Sequence, residues 1–291
     1  MKLALIGYGN IGRALLASAK REKDVEVVGI VRRRDEAVED YRVVTDIAQL
    51  GKVDVAMLCV PSRMVPDAAE ALLTSGISTV DSFDIHTQIP QVRARLMDAA
   101  KQGDAVSILS AGWDPGSDSV VRALLLACAP GGITHTNFGP GMSMGHSVAV
   151  RAIAGVKDAI SMTIPAGQSR HVRMVYVQGD GSVEFDAIAN AIKADAYFVH
   201  DETHVIEVDD VDELRSCAHG VHLERIGVSG NANNQSFEFT MHIDNPALTA
   251  QIMLACARAA TRQTPGCYTM IELPMVDLLP GDREQYIAKL V

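Results

Sequence analysis

A glycine-rich turn set between an apolar run and a helical one constrains this chain more than any other feature. Lys2 to Ile6 is a short apolar segment, Gly7-Tyr8-Gly9-Asn10-Ile11-Gly12 follows at once, and Ile11, Leu15 and Ala19 then recur at four-residue spacing. The order is strand, turn, helix. In a Gly-x-Gly-x-x-Gly turn the first glycine permits the tight bend, the second lets a pyrophosphate approach the backbone, and the third lets helix and strand pack closely. The helix N-terminus adds unpaired N–H groups and a partial positive charge. Glycine turns are common in loops, so the motif takes its weight from the β-α-β setting.

That setting continues along the chain. Val25 to Val31 and Val53 to Val60 are apolar, β-branched runs, Val65 to Leu73 has helical character before Gly76, and Ile77 to Asp81 follows as a strand. Gln91 to Lys101 is an amphipathic helix and Ala105 to Ser110 a further strand. Strands alternating with helices imply an α/β, Rossmann-type doubly wound parallel sheet. A long apolar helix from Ser117 to about Ala129 stops at Pro130-Gly131-Gly132. Beyond it the strand-like runs are closely spaced (133–138, 159–164, 172–177, 204–208, 220–226 and 237–243), with one helix near Phe185 to Lys193 and a last from Ala247 to Arg262. This half is expected to be α+β with a mixed or antiparallel sheet.

Single cores seldom grow beyond about 250–300 residues, so a chain of 291 is expected to form two units. The expected division is a dinucleotide-binding domain over 1–118 and a second domain over 119–265, with 266–291 packing back on the first.

The second strand ends at Gly29-Ile30-Val31 and runs into Arg32-Arg33-Arg34, where enzymes using NAD usually carry an acidic ribose ligand. No carboxylate occurs before Asp35. An arginine fork pairs with a 2′-phosphate that an acid would repel, which favours NADP held by Arg32 and Arg33. A solvated basic turn is the competing reading, and Arg34 is the most incidental of the three.

The formal charge of −10 argues against nucleic acid and anionic lipid as partners. Cys59, Cys128, Cys217, Cys256 and Cys267 form no Cys-x-x-Cys pair, which suits a reducing cytoplasm. Met1 leads straight into the first strand without the regions of a signal peptide, and Arg122 and Arg258 interrupt the best apolar runs before they reach the roughly 18–20 residues of a membrane span. No histidine has partners at metal-ligand spacing, so no metal is expected. No Gly-x-Ser-x-Gly elbow supports a hydrolase.

Longer blocks narrow the choice. Gly-Tyr-Gly-Asn-Ile-Gly (7–12), Val-Arg-Arg (31–33), Val-Asp-Ser-Phe-Asp-Ile-His (80–86), Ser-Ala-Gly-Trp-Asp-Pro-Gly (110–116), Asn-Phe-Gly-Pro-Gly-Met-Ser-Met-Gly-His (137–146), Met-Thr-Ile-Pro-Ala-Gly (162–167) and Asn-Pro-Ala-Leu-Thr-Ala-Gln (245–251) stand in order along the chain. In these blocks the sequence resembles the meso-diaminopimelate dehydrogenase family over essentially its whole length. The resemblance implies reversible, NADP-dependent oxidative deamination of the D-centre of meso-2,6-diaminopimelate, giving L-2-amino-6-oxopimelate and ammonia, in lysine and peptidoglycan precursor metabolism. It also implies a homodimer whose second domain binds substrate and dimerises. Phe138, where some members carry tryptophan, resembles the branch that also aminates 2-keto acids.

Such chemistry needs carboxylates for an ammonium group and donors for a carboxylate. Asp84 and Asp114, each in a loop after a Rossmann strand and matching substrate-contacting family positions, are the catalytic candidates. An Asx turn or helix cap competes for Asp84, and turn chemistry ahead of Pro115 for Asp114. The resemblance assigns Trp113, Phe138, Met144, Gly145 and His146 to the substrate pocket, the last three on a loop whose N–H groups could bind a carboxylate. Core packing competes for Trp113 and Phe138. It also assigns Thr163, Arg173, His219 and Asn245 to the distal L-centre; Asn245 also suits the N-cap of the last helix. Expected at the cofactor beside the glycine turn and the arginines are Cys59, Val60, Pro61, Ser62, Ser82, Phe83, Ala111 and Gly112. Two other functions fit the same fold: an NADP-dependent D-amino-acid dehydrogenase acting on another substrate, and a non-catalytic NADPH-sensing protein.

Overall fold

Parallel pairing organises the first half of the chain. The computed structural model describes residues 1–33, 36–214 and 219–291, so Arg34, Asp35 and Cys217 lie outside the described residues. The elements are β1 (Lys2–Ile6), α1 (Asn10–Ala19), β2 (Glu26–Val31), β3 (Val43–Val44), β4 (Val55–Leu58), α2 (Val65–Thr74), β5 (Ser78–Asp81), α3 (Ile89–Gln102), β6 (Val106–Ile108) and α4 (Ser117–Cys128). Leu3, Ala4 and Leu5 of β1 and all four residues of β4 are buried, the continuous apolar run expected of strands covered on both faces. Pro66 and Pro90 stand in the first turns of α2 and α3, where their missing N–H groups have no intrahelical partner to lose.

The next stretch comprises β7 (Gly131–Phe138), β8 (Gly141–Ser143), α5 (Met144–Arg151), β9 (Val156–Gly167), β10 (Arg170–Gly179), α6 (Phe185–Ala194), β11 (Glu202–Glu207), β12 (His219–Ser229) and β13 (Ala232–Ile243). It forms a mixed four-stranded sheet in the order β11-β10-β9-β8 and an antiparallel three-stranded sheet in the order β13-β12-β7. The chain closes with α7 (Asn245–Ala260), β14 (Gly266–Tyr268) and α8 (Arg283–Leu290). β14 joins the parallel sheet beside β6, giving the order β14-β6-β5-β4-β1-β2-β3. The Rossmann-type sheet and the separate α+β half are as the sequence implied.

Two compact units result, Met1–Val120 with Pro246–Val291, and Val121–Asn245. The second unit therefore ends about twenty residues before the expected boundary of 265. The reason is α7. Ala250, Met253, Leu254, Cys256, Ala257, Ala259 and Ala260 all enter the core that contains β1, and a helix apolar on most of its circumference belongs inside a domain. Arg258, buried on the same helix, donates from Nε to Asp24 Oδ2 at 2.7 Å and from Nη2 to Glu22 Oε2 at 2.8 Å. Among the described residues no helix is long and apolar enough to cross a membrane.

Candidate active site

The glycine turn has the geometry its sequence implied. Gly7 has φ +94°, and a Cβ there would lie 2.6 Å from the carbonyl oxygen of Cys59; a Cβ on Gly12 would lie 2.8 Å from that of Gly7. Both positions require glycine. A Cβ on Gly9 would meet nothing within 4 Å, so the backbone is open at the N-terminus of α1, whose N-cap residue makes no side-chain bond. Tyr8 and Ile11 are half-buried and pack against the core, while Asn10 is exposed and accepts from Arg13 Nη2 at 2.8 Å. Open backbone at the start of a helix is the geometry that suits an anion. Arg32 is half-buried and donates to Glu36 Oε2 at 2.7 Å; Arg33 is exposed.

The loops after β4, β5 and β6 carry the remaining candidates of this unit. Cys59 donates its N–H to Ile6 at 2.8 Å, and Val60 and Pro61 lead to Ser62, whose hydroxyl donates to Asp84 Oδ1 at 2.6 Å. A residue assigned to the cofactor thus touches one assigned to the reaction. Ser82 is half-buried and Phe83 fully buried. Ala111, Gly112 and Trp113 are buried in a tight loop closed by bridges from Gly112 and Trp113 to Gly116. The side chain of Asp114 is half-buried there, with Oδ2 3.9 Å from Nε2 of His86.

In the second unit, β9 and β10 are antiparallel and place Thr163 opposite Arg173. Arg173, 9% exposed, donates from Nη1 to the Thr163 hydroxyl and from Nε to Asp201 Oδ2 at 2.7 Å. Nε2 of His171 lies 3.0 Å from Arg173 Nη2 and 3.1 Å from Asp201 Oδ1, serving as acceptor to the first or donor to the second according to its proton. Burial works to raise the Asp201 carboxyl, but the hydrogen bonds and charges of His171 and Arg173 overcome it and hold the group well below the usual carboxylate range. Phe138 stands edge-on to His171 at 6.2 Å between ring centroids.

His171 and Asp201 were not among the sequence candidates. The available signal was the two-residue spacing of His171 and Arg173, which puts both on one face of a strand; Asp201 had none. Met144, Gly145 and His146, expected on a loop, open the helix α5 instead. Gly145 and the preceding Gly141 hid its periodicity. A helix start still presents unpaired N–H groups. Asn245 begins α7, with Pro246 next.

Two histidines of this unit are held neutral. Burial, then the charge of Arg173, pushes His146 down to about 3; its Nδ1 lies 2.8 Å from the Ser143 hydroxyl, and Tyr197 and Phe198 meet its ring edge-on. The same two causes push His219 down to about 4. Its Nδ1 accepts the Gly220 N–H at 2.8 Å, which assigns the proton of the neutral ring to Nε2 and makes that atom a donor.

Both shifts have a stability consequence of fixed sign. Unfolded histidine titrates near 6.5, so below that value the unfolded chain takes up protons that the folded one refuses until about 4 and about 3. Their contribution is complete above about pH 6.5 and is lost as pH falls. We expect the melting temperature to fall more shallowly with acid in His146→Asn than in the parent between about pH 7 and pH 4. Parallel curves would contradict the assignment of a neutral His146.

A glycine cradle at the head of a parallel sheet, with carboxylates on the neighbouring loops, defines the class of Rossmann-fold dehydrogenases. The family model of the diaminopimelic acid dehydrogenase C-terminal domain matches residues 112–245, and that of a CoA binding domain matches the Rossmann-like stretch 1–84. A meso-diaminopimelate D-dehydrogenase of Bacteroides fragilis is 57% identical over 100% of this chain and 99% of its own. The chain belongs to the meso-diaminopimelate D-dehydrogenase family, as the sequence blocks suggested. Two solved structures, Corynebacterium glutamicum DAP dehydrogenase in complex with DAP and an engineered D-amino acid dehydrogenase bound to NADP+, each match with TM-score 0.92 at 31% identity, covering 100% of this chain and 99% of theirs.

Proposed function

We propose that this chain oxidatively deaminates the D-centre of meso-2,6-diaminopimelate with NADP as oxidant. The observation that carries the reading is the hydrogen bond between Ser62 and Asp84, which ties a loop assigned to the cofactor to a carboxylate assigned to the reaction. Gly7, Gly9, Gly12 and the α1 N-terminus would hold the pyrophosphate, and Arg32 and Arg33 the 2′-phosphate. When bound, NADP supplies the hydride acceptor.

The protein's part is orientation and proton handling. Oxygens of Asp84 and Asp114 steady the reacting ammonium, take its proton, and orient the water that releases ammonia. One meso-diaminopimelate, one water and one NADP+ give one amino-oxo acid, one ammonium ion, one NADPH and one proton. The distal L-carboxylate is gripped by Arg173, Thr163, Asn245 and the Nε2–H of His219, a charge-assisted clamp. Trp113 walls the reacting end beside Asp114, and Met144, Gly145 and His146 shape the pocket of the second unit. Phe138 sets its width, which also admits other 2-keto acids for reductive amination.

The enzyme works in the cytoplasm, as a homodimer. The apolar, exposed Ile133 and Ile226, cross-strand partners on β7 and β12, support a self-associating face on the second unit.

One ammonia should appear per NADPH formed from meso-diaminopimelate. NADPH formed without ammonia would contradict deamination, and dinucleotide binding with no turnover of any D-amino acid would favour a sensor. The joint change Arg32→Ala and Arg33→Ala should raise KM for NADP far more than KM for NAD, since only the former has a 2′-phosphate. Equal losses would remove those side chains from the cofactor site.

A further inference from the structure

We infer that Asp81 is a positioning residue, a buried clamp that fixes the loop bearing Asp84 against the loop bearing Trp113 and Asp114. The inference rests on the reading of Asp84 and Asp114 as substrate-contacting groups.

β5 and β6 pair directly at Thr79 with Ser107 and at Val80 with Ile108, and Asp81 is the last residue of β5. From there it bridges the two loops. Its Oδ1 accepts the N–H of Phe83 at 2.9 Å, beside Asp84, and the N–H of Ser110 at 3.1 Å, at the start of the Trp113 loop. Its own carbonyl accepts the N–H of Ala111 at 2.6 Å. One residue thus takes three backbone donors from two loops.

Two further observations separate this from ordinary core filling. Asp81 is 0% exposed and its Oδ2 has no hydrogen-bond partner, an arrangement that a space-filling role would not select. Burial pushes its carboxyl up to about 6 against the pull of the two N–H groups, and the titratable groups facing it are the buried thiols of Cys256 on α7 and Cys267 on β14. Ser110, which the clamp holds, has φ +62°, a left-handed backbone that a residue with a Cβ keeps only when its surroundings enforce it.

Trp113 is the only tryptophan in the chain and is buried in the clamped loop, so its emission reports the loop's position without reference to turnover. In the full-length protein, Asp81→Val, which fills the volume but accepts nothing, should shift Trp113 emission to the red and lower kcat roughly 100-fold, the scale of a misplacement near 1 Å. KM for NADP should change far less. Asp81→Asn keeps an acceptor at Oδ1 and should restore both emission and kcat. Leu50→Ala, in the separate cluster of Ala4, Val44 and Leu50, should lower Tm and leave emission and kcat at parental values.

If Asp81→Val does not fold, Asp81→Ser, which carries one acceptor on a shorter side chain, should give an intermediate shift and loss. A folded Val or Ser variant with parental emission and kcat overturns the clamp. So does an Asn variant as impaired as the Val one. Turnover retained in Asp84→Ala and Asp114→Ala would overturn the functional reading instead, and the emission of Trp113 would still judge the clamp.

Discussion

Asp84→Ala and Asp114→Ala should each lower turnover of meso-diaminopimelate roughly 100- to 10,000-fold, the range that a positioned acid or base contributes. Binding of NADPH should stay nearly intact. The contrast follows from where the groups sit. Asp84 hangs from the loop after β5 and is steadied by the Ser62 hydroxyl at 2.6 Å, and Asp114 lies half-buried beyond β6. Neither belongs to the turn formed by Gly7, Gly9 and Gly12, where backbone N–H groups and the start of α1 are proposed to hold the dinucleotide. Turnover by stopped assay and NADPH affinity by fluorescence titration check both halves. Turnover kept within a few-fold in either variant would remove that carboxylate from the chemistry.

Arg173→Leu should cause the second large loss, confined to substrates with a distal carboxylate. Arg173 is held on three sides, by Asp201 at 2.7 Å, the Thr163 hydroxyl and Nε2 of His171 at 3.0 Å. Removing it deletes the cation and leaves Asp201 facing His171 in a half-buried site. Truncating one partner of a buried charge pair costs about 2–5 kcal/mol, so kcat/KM for meso-diaminopimelate should fall roughly 30-fold to several thousand-fold. A short D-amino acid without a second carboxylate should lose little. Equal losses on both substrates would show that Arg173 supports the fold of the β9–β10 sheet rather than the distal end of the substrate.

Much of the first unit was legible because its signals are local. The glycine turn and the apolar runs of β1 and β4 each act within a few residues of themselves. What escaped was non-local or short. β3 has two residues and β14 three, too few for any periodicity to register. α7 reads as a helix in either domain, and only its contacts with the β1 core decide the matter. The candidate site divides the same way. The glycines announce their backbone demands in sequence, and the resemblance named Asp84, Asp114, Thr163 and Arg173. Asp201 could not be found, because nothing in its neighbours hints that β11 brings the chain beside Arg173. Asp81 looked like the last residue of an apolar strand; its three backbone donors come from two loops nearly thirty residues apart in sequence.

The most direct measurement is NADP reduction followed spectrophotometrically with each stereoisomer of diaminopimelate. A carboxylate pair that takes one D-ammonium and an arginine clamp that takes one L-centre predict rapid NADPH formation from the meso isomer, little from the D,D isomer and none from the L,L isomer. Equal rates from all three, or NADPH from the L,L isomer alone, would contradict it.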